Sequence, residues 1–443
     1  MGAPFQSWGR YPQFEQQGTA LQWRDLPLPL ELAEERSLLP FGNGRSYGDC
    51  CLNEDNLLLA THHLNHLIEF DRENGVVRCE AGITLGELLA VIVPAGWFLP
   101  VTPGTQFVTV GGAIANDVHG KNHHLAGTFG CHLRALELLR SSGKRLFCSA
   151  NKHHELFNAT IGGLGLTGLI SWAEIQLKPI NNPLIHSETI RFTNIEEFVS
   201  LCQESDQSFE YTVAWLDCQA KGENLGRGLF MRGNHTSPEY NNQPLNPPKL
   251  RPSIPFNAPS FSMHPIFIKG FNQFYYHRQR QQRVESVSHY APFFYPLDAI
   301  GNWNRLYGKR GFLQYQCVVP YQDGDLAPIK SVLKLITEQG QGSFLAVLKL
   351  FGEISSPGML SFPRPGLSLA LDFPNRGEKL LKLFAQLDHL VLQHNGALYP
   401  AKDAAMHATS FKQFYPEWQA FSKFIDPKFS SSLWRRVSGI QTR

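Results

Sequence analysis

The sequence of 443 residues is short of charge, of paired cysteines and of long apolar runs, and each shortage excludes a class of protein. Charged residues make up 18%, with 40 Lys and Arg against 38 Asp and Glu, so no continuous basic surface for a nucleic acid is expected. None of the eight cysteines forms a C-x-x-C pair, which argues against a structural zinc site and favours free thiols in a reducing compartment. No stretch approaches the ~20 apolar residues of a membrane span.

The same shortages bear on where the protein works. No charged segment followed by an apolar run opens the chain, so no secretory signal is predicted and a cytoplasmic protein is expected. A second expectation is peripheral contact with the inner membrane. The aromatic stretch 267–276 is followed by Arg278, Arg280 and Arg283, and aromatics beside arginines suit a lipid-phosphate headgroup. The alternative is a polar helix that packs its aromatic face on a sheet.

Two domains are predicted from the length of the chain and from a change in the pattern of strand-like and helical segments at the turn-rich segment 178–183. Before it, short strand-like runs flank a predicted helix at 85–93. Thr84 and Glu87 form a capping box at the start of this helix. After it, strand-like runs such as 211–216 and 312–319 alternate with longer helical stretches such as 378–394, which predicts an antiparallel sheet with helices on one face. The fold class is therefore expected to be α+β.

Three glycine-rich segments lie in the first part of the chain. The first, 42–46, can turn backbone N–H groups inward to cradle a phosphate, and Arg45 adds charge. The second joins 103–105 to the small residues 111–115. The third, 163–168, matches G-x-G-x-x-G but leads into a strand, which disfavours a Rossmann NAD site. Each alone reads as a glycine-rich turn, whereas together they suit a long cofactor that carries a pyrophosphate.

A polar block with three histidines directly follows the second glycine-rich segment. His119, His123 and His124 lack the spacing of zinc ligands, and no Cys or carboxylate completes a set, so no metal is predicted. Surface histidines in a loop are the alternative for His123 and His124. That alternative is less attractive for His119 and Lys121, which follow the glycines at once.

These segments resemble the PCMH-type FAD-binding domain of the vanillyl-alcohol-oxidase superfamily and, within it, the decaprenylphosphoryl-β-D-ribose 2′-oxidase family. The run 119–124 and the segment Gln314-Tyr315-Gln316 are specific to that family rather than general flavoprotein features. The resemblance covers nearly the whole chain through the segments 44–49, 103–105, 110–115, 119–124, 214–215, 303–305, 311–316, 349–352, 372–374 and 401–403.

The resemblance implies an α+β fold with a two-subdomain FAD-binding domain at 1–182, a substrate-binding domain at 183–396 and a C-terminal segment, 397–443, that returns to the FAD-binding domain. It implies an FAD-dependent oxidoreductase that acts on a CH–OH group. The family oxidises the C2 hydroxyl of polyprenylphosphoryl-β-D-ribose to the 2-keto sugar. A short-chain dehydrogenase then reduces the ketone to the arabinose epimer, an arabinan precursor for the cell wall.

Three alternatives stand beside that function. The first is an FAD-dependent aldonolactone or sugar-alcohol oxidase acting on a soluble carbohydrate, which needs no lipid groove. The second is a flavin-binding protein without catalysis, which the polar residues of the second domain argue against. The third is an NAD-dependent dehydrogenase, which the misplaced glycine motif weakens.

The family's site positions carry over to this sequence residue by residue. The catalytic positions fall on Tyr47, His119, Gln316 and Lys402. The cofactor positions fall on Gly42, Asn43, Gly44, Arg45, Ser46, Tyr47, Pro103, Gly104, Thr105, Gly111, Gly112, Ala115, Asn116, His119, Gly120, Gly163, Gly168 and Lys402. The substrate positions fall on Lys121, Trp215, Gln314, Gln316, Lys349, Phe351, Ser368 and Ala370.

The sequence departs from the family's pattern at three positions. Ala370 replaces the family's active-site cysteine, Ser368 its neighbouring asparagine, and Phe294 a tyrosine of the active-site lid, which changes the shape and polarity of the pocket wall. Many relatives attach FAD through a histidine of the first glycine-rich loop. Because Arg45 stands at that place, non-covalent FAD is expected.

The reaction needs a hydride acceptor and a destination for the hydroxyl proton. Lys402 is the first choice for a fixed cation beside the reduced flavin. The base remains open among Tyr47, His119 and Lys402. Lys349 lies in an apolar run, and since a buried lysine needs an anionic partner, we expect it to meet the substrate phosphate. An ordinary surface lysine is the alternative for Lys349 and Lys402.

Overall fold

The computed structural model describes residues 5–237, 252–259 and 263–439, and every bound below refers to those ranges. The strands are β1 Gln17–Ala20, β2 Leu38–Phe41, β3 Leu57–Ala60, β4 Leu67–Asp71, β5 Val76–Glu80, β6 Trp97–Phe98, β7 Leu133–Leu139, β8 Arg145–Ser149, β9 Leu169–Gln176, β10 Lys178–Pro179, β11 Leu184–Phe192, β12 Tyr211–Leu216, β13 Gly228–His235, β14 Arg283–His289, β15 Phe312–Val319, β16 Ala346–Phe351, β17 Gly366–Pro374 and β18 Ala397–Leu398.

Most helices are short, and the longest belong to the second half of the chain. They are α1 Leu30–Ala33, α2 Leu85–Ile92, α3 Val110–Ala115, α4 His123–Ala126, α5 His154–Thr160, α6 Ile195–Ser205, α7 Pro265–His277, α8 Tyr290–Phe294, α9 Ala327–Glu338, α10 Glu378–Gln393, α11 Ala408–Phe414, α12 Trp418–Ser422 and α13 Ser432–Ser438. Single 3₁₀ turns lie at Asp49–Cys51, Val93–Ala95, Phe129–His132, Gly222–Asn224, Pro296–Ala299 and Trp303–Tyr307.

The strands form separate sheets in the two halves of the chain. The first half holds a parallel sheet of order β1-β3-β2 and an antiparallel sheet of order β4-β5-β9-β7-β8. The second half holds an antiparallel sheet of order β14-β11-β13-β12-β16-β17-β15-β18. A two-stranded ribbon pairs β6 with β10. The predicted α+β class is confirmed.

The capping box predicted at the start of α2 is present. The backbone N–H of Glu87 donates to Oγ1 of Thr84 (3.1 Å), and the Glu87 carboxylate accepts from the backbone N–H of Thr84 (2.8 Å). These two bonds satisfy helix-terminal donors that have no partner inside the helix. The helix ends at Ile92, one residue before the predicted end, because a 3₁₀ turn with Pro94 follows.

The eight-stranded sheet has one helix-covered face and one polar face. Side chains alternate along a strand, so Tyr315 and Cys317 of β15 enter the core beneath α9 and α10, whereas Gln314 and Gln316 point to the opposite face. Leu387 of α10 belongs to that same core. The predicted antiparallel sheet is confirmed, but the prediction that its helices lie on one face is wrong for α7. That helix packs Tyr275 against Trp215 (4.6 Å), on the face that Lys349 shares, at the β12 end of the polar face.

The C-terminal segment packs against residues 38–49 in the first half of the chain. The guanidinium of Arg436 in α13 binds Asp49 (2.7 Å) and Asp403 (2.8 Å). Phe429 bridges to Leu38 of β2 as a parallel partner. The short strand β18, by contrast, pairs with β15, so the chain leaves the large sheet only after Leu398. Within the described ranges, no helix is long and apolar enough to cross a membrane.

Candidate active site

The polar face of the eight-stranded sheet is the floor of the candidate site. In register, Gln314 lies opposite Asp372, and Gln316 opposite Ala370. On the next strand, Lys349 lies opposite Ser368. Phe351 follows Lys349 by two residues and therefore shares its face. Six of the predicted substrate residues thus lie together on three neighbouring strands.

His119 connects this floor to the first half of the chain. It follows α3 in a loop, is 8% exposed, and its Nε2 lies 2.9 Å from Nε2 of Gln316. Its ring packs 4.8 Å from that of Phe351 and 5.8 Å from that of Tyr399. Burial, and then the charge of Lys349, hold the pKa of His119 well below its usual range, so the ring is neutral at pH 7.

Three lysines converge at the site with little negative charge around them. Burial lowers the pKa of Lys121 to about 8, of Lys349 to about 7 and of Lys402 to about 8. Repulsion from Lys121 and Lys402 lowers the pKa of Lys349 further. The Lys349 ammonium donates to the carbonyl of Gly120 (3.2 Å), a neutral acceptor. The alternative of ordinary surface lysines is therefore wrong for Lys349 and Lys402, and the cluster attracts an anion.

Tyr47 and Lys402 meet at the other end of the polar face. The Lys402 ammonium lies 3.7 Å from the centre of the Tyr47 ring, a cation–π contact. The backbone N–H of Tyr47 donates to the carbonyl of Ala401 (2.9 Å), which fixes the first glycine-rich loop to the turn that carries Lys402. Gly48 lies against the carbonyl of Asp403 so closely that any side chain would collide with it.

The first two glycine-rich segments form one continuous cradle. The loop 42–48 contacts the loop 103–109: the amide of Asn43 donates to the carbonyl of Phe107 (3.1 Å), and a side chain at Gly42 would lie 2.5 Å from Oγ1 of Thr109. Gly104 is exposed, and a side chain there would meet nothing within 4 Å. The loops therefore approach each other closely and leave open space at Gly104.

Arg45 gives this cradle a largely buried cation. Its guanidinium stacks on Trp8 (4.2 Å) and Phe107 (5.0 Å), and its Nε is buried without a hydrogen-bond partner among the described residues. Thr105 donates to Asp298 (2.7 Å), which lies near enough to Arg45 to raise its pKa, although burial lowers that pKa more. The Nε donor is therefore free to bind an anionic acceptor such as a phosphate.

The helix α3 and the third glycine-rich segment pack side by side. Gly111 and Gly112 lie in the first turn of α3, and the carbonyl of Ala115 accepts from the backbone N–H of Leu164 (2.8 Å). Asn116 ends the helix by donating from its side-chain amide to the carbonyl of Gly112 (2.9 Å). Gly163 thus lies beside the C-terminal end of α3. Gly168 instead adopts a φ of +137° at the turn into β9, which by itself explains the glycine.

Trp215 and Phe294 lie at the margin of the site, whereas His123 is buried within it. Trp215 lies two strands from β17, where its ring packs 4.6 Å from that of Tyr275 in α7. Phe294 is buried among aromatic rings such as Phe98, so it packs in a core. His123 is 2% exposed and packs 4.4 Å from the ring of Phe351, so the surface-loop alternative is wrong for this residue.

Sequence reasoning left three residues of the site without a role. Asp372 is fully buried beside Gln314, and it follows Ala370 by two residues, so strand alternation alone could have placed it on the polar face. The hydroxyl of Tyr399 donates to the carbonyl of Asn116 (2.8 Å), and its ring packs on His119. Phe362 packs on Tyr399 at 4.7 Å. The last two come from distant segments, and no local pattern marks them.

The residues of the cradle fit a flavin nucleotide. A pyrophosphate suits the cationic, unpartnered Arg45 and the glycine backbone beside open space at Gly104. A flat ring that becomes anionic on reduction suits Lys402 at the junction with the polar face. Among the described residues, no group of three or more His, Cys, Asp or Glu side chains could hold a metal ion. All eight cysteines lie in the described ranges and are free thiols.

Comparison with known proteins agrees with this geometry. Residues 30–149, which hold the cradle and α3, match the family described as FAD binding domain. The protein is an FAD-dependent oxidoreductase that acts on a CH–OH group, so the predicted cofactor and enzyme class are confirmed. The chain is 37% identical to decaprenylphosphoryl-β-D-ribose oxidase of Mycolicibacterium smegmatis over 423 aligned residues. The aligned region covers 91% of this chain and 90% of that protein. The chain belongs to the decaprenylphosphoryl-β-D-ribose oxidase family.

Two further relatives show how the similarity is distributed. The chain is 31% identical over 373 residues, 80% of its own length and all of the relative, to an uncharacterized protein in the mprA 5′ region of Streptomyces coelicolor. It is 28% identical over 224 residues, 49% of either chain, to L-gulonolactone oxidase of Scyliorhinus torazame. The similarity to the ribose oxidase thus covers about nine tenths of each chain, whereas the similarity to the lactone oxidase covers about half.

Proposed function

We propose that the protein oxidises the C2 hydroxyl of a polyprenylphosphoryl-β-D-ribose to the 2-keto sugar, the first half of an epimerisation to the arabinose donor. A short-chain dehydrogenase that reduces the ketone is the partner this product requires. The observation that carries the proposal is the cluster of Lys121, Lys349 and Lys402 on a face that also bears paired glutamines. A sugar phosphate offers the charge and the hydroxyls that such a face needs.

The phosphate is assigned to Lys349 and Lys121. Both ammonium groups are buried without a carboxylate within ion-pairing distance among the described residues, and each has a lowered pKa. A bound phosphate removes that penalty and raises both pKa values, so substrate binding is coupled to proton uptake above pH 7. His123, neutral beside Lys349, adds a nitrogen that has no partner in the described part of the chain.

The ribose is assigned to the centre of the polar face. FAD, when bound, supplies the hydride acceptor. Gln316, held by His119, and Gln314, held by Asp372, are fixed by these contacts and orient sugar hydroxyls at little cost in side-chain entropy. Ala370 and Ser368 leave the neighbouring wall small. Lys402 stabilises negative charge that develops at its end of the face.

The FAD is proposed to be bound without a covalent link. Arg45 occupies the loop position at which many relatives carry the linking histidine, and a guanidinium forms no such bond. Its unpartnered Nε suits a charge-assisted hydrogen bond to a phosphate instead. The cofactor site then joins residues of the proposed FAD-binding domain, 1–182, with Lys402 of the proposed C-terminal segment, 397–443, above the proposed substrate-binding domain, 183–396.

A membrane surface is proposed to deliver the lipid substrate to this cytoplasmic enzyme, bound peripherally at the inner membrane. Helix α7 packs its buried face on the sheet and exposes Phe267 (59%) and Phe274 (71%), with Lys269 and Arg278 beside them. Aromatic rings next to cations favour an anionic lipid interface. Replacing both phenylalanines by serine should release the protein from phosphatidylglycerol vesicles in a flotation assay. Serine at Phe147, an exposed ring of β8, should leave flotation unchanged.

Trapping the product tests the proposal. The enzyme is incubated with polyprenylphosphoryl-β-D-ribose and an electron acceptor, treated with borodeuteride, and hydrolysed for sugar analysis by mass spectrometry. Oxidation at C2 predicts ribose and arabinose that each carry one deuterium at C2. Deuterium at another carbon would contradict the assigned position. Turnover of soluble aldonolactones, with none of the lipid-linked ribose, would favour the alternative function that the partial similarity to L-gulonolactone oxidase suggests.

A further inference from the structure

A cationic cavity opens at the surface between the start of the chain and the segment that precedes β15. Its volume is about 380 Å³, within the range of pockets that hold small molecules (~300–1,000 Å³). It is lined by three cationic side chains, Arg10, Arg305 and Lys309, and among others by Phe256 and Asn257. The described residues that line it include no carboxylate and none of the residues assigned to the cofactor or the substrate. The cavity is therefore a second candidate site, distinct from the active site.

The cations of this cavity contact only neutral groups in the described part of the chain. The guanidinium of Arg10 donates from Nη1 to the side-chain oxygen of Asn257 (2.5 Å), and its Nε is buried without a hydrogen-bond partner there. Arg305 donates to the carbonyls of Ile254 and Pro255 (2.9 Å each). Burial, and then the charge of Arg305, lowers the pKa of Arg10. An anion bound in the cavity would offset this repulsion and accept from the free donors.

The lining groups favour a phosphate ester that carries an apolar portion. Guanidinium groups match the oxygens of a phosphate through two parallel hydrogen bonds, and Lys309 adds a mobile charge at the rim. Phe256 lines the same cavity and is 69% exposed, so its ring is available to an apolar portion beside the phosphate. Aromatic rings beside cations suit the headgroup level of an anionic lipid surface.

The cavity also lies close to the proposed membrane helix α7. Tyr307 belongs to the same 3₁₀ turn as Arg305 and stacks on Phe344 (5.3 Å), which in turn packs on Phe271 of α7 (5.8 Å). The ring of Phe344 thus links this turn to the helix. Phe271 is itself 42% exposed. A headgroup in the cavity and the exposed rings of α7 can therefore belong to one lipid surface.

We infer that this cavity is a headgroup site, which binds the phosphate of an anionic phospholipid such as phosphatidylglycerol and holds the enzyme at the membrane beside α7. Arg10 and Arg305 bind the phosphate oxygens, and Phe256 packs on the glycerol and the first acyl carbons. The inference deepens the proposed membrane contact and rests on it for its ligand. It does not depend on which sugar the active site oxidises.

Titration of the FAD-loaded protein with dihexanoyl phosphatidylglycerol, below its micelle concentration, tests the cavity without a bilayer. Calorimetry gives the Kd. Arg10→Gln removes a charge-assisted contact and should weaken binding at least about tenfold. Lys309→Gln removes one rim charge and should weaken it about fivefold. The matched control is Arg310→Gln. Arg310 is exposed next to Lys309 but does not line the cavity, so the Kd should change less than about twofold.

Two further probes establish the source of the phosphate. Inorganic phosphate lacks the glycerol and acyl carbons and should bind more weakly than the short-chain lipid. Mixed vesicles of phosphatidylcholine and phosphatidylglycerol should float more of the wild-type protein and of Arg310→Gln than of Arg10→Gln. Binding of inorganic phosphate without binding of the short-chain lipid would assign the cavity to a soluble phosphate and overturn the lipid assignment.

The remaining outcomes separate this inference from the proposed function. No saturable binding by the wild type, or equal losses in Arg10→Gln and Arg310→Gln, would overturn it. If Arg10→Gln does not fold, Lys309→Gln decides, because Lys309 is exposed. Lys349→Met should bind the short-chain lipid as the wild type does, and a loss there would place the lipid in the active site instead. If the lipid-linked ribose leaves the wild-type flavin oxidised, the proposed function fails, whereas the titration still tests the cavity.

Discussion

Replacing Lys349 by methionine should stabilise the substrate-free protein while removing its affinity for substrate. In the folded protein the pKa of Lys349 falls from 10.5 to about 7. Folding therefore costs the protonated amine about 5 kcal/mol at 1.36 kcal/mol per pH unit. This penalty is complete below pH 7, where the amine is protonated in both the folded and the unfolded state. It disappears as the pH rises towards 10.5, because the amine of the unfolded chain then loses its proton as well.

The pH dependence sets the expected size of the effect. The penalty amounts to about 4 kcal/mol at pH 7.5 and about 2 kcal/mol at pH 9. The methionine variant lacks the hydrogen bond from Lys349 to the carbonyl of Gly120, which contributes about 1 kcal/mol to stability. The net gain is then about 3 kcal/mol at pH 7.5. With an unfolding entropy of about 2.1 cal/mol/K per residue, this gain raises the melting temperature by about 3 °C at pH 7.5 and about 1 °C at pH 9.

Calorimetry of the FAD-loaded protein at pH 6, 7.5 and 9 measures the stability, and the substrate dependence of flavin reduction measures the binding. Loss of a charge-assisted phosphate contact of about 2–3 kcal/mol should raise KM about 30- to 150-fold. Lys334→Met, at an exposed position of α9, is the matched control and should change neither quantity. A K349M protein that melts lower at every pH, or keeps its KM, would refute the reasoning.

Three further predictions follow from the same geometry. Acid precipitation of the wild-type protein should release all of its FAD into the supernatant, because Arg45 forms no covalent bond; flavin that remains with the pellet would contradict this. Lys402→Ala should slow flavin reduction about 100-fold with FAD content unchanged, as measured by stopped flow, because a fixed cation is lost; a near-normal rate would exclude the role given to Lys402. Thr84→Ala should lower the free energy of unfolding by about 1 kcal/mol, since it removes the Oγ1 that accepts from the backbone N–H of Glu87; unchanged urea denaturation would contradict it.

Local patterns predicted the elements of the fold well. The strands β12 and β15 have the predicted bounds, and α10 begins at the predicted residue. Alternation and capping act within a few residues, so they can be read directly from the sequence. The order of the eight strands could not be predicted in this way, because it depends on pairings such as β12 with β16, whose partners lie more than a hundred residues apart.

The candidate site was predictable where its residues belong to marked segments. The glycine-rich loops and the Gln-Tyr-Gln strand are such segments, and the structure brings them to one place. Tyr399 was missed because its contact with His119 depends on how the C-terminal segment packs, not on its neighbours in sequence. The burial of His123 was missed for a similar reason, since its cover is Phe351 from the distant sheet.

The most direct test of the central claim is the absorption spectrum of the FAD-loaded protein under anaerobic conditions, before and after addition of polyprenylphosphoryl-β-D-ribose. The account predicts that the flavin band bleaches, and that the K349M protein needs a far higher substrate concentration for the same bleaching. A band that stays unbleached with the lipid-linked ribose, while a soluble lactone or sugar alcohol bleaches it, would contradict the proposed substrate.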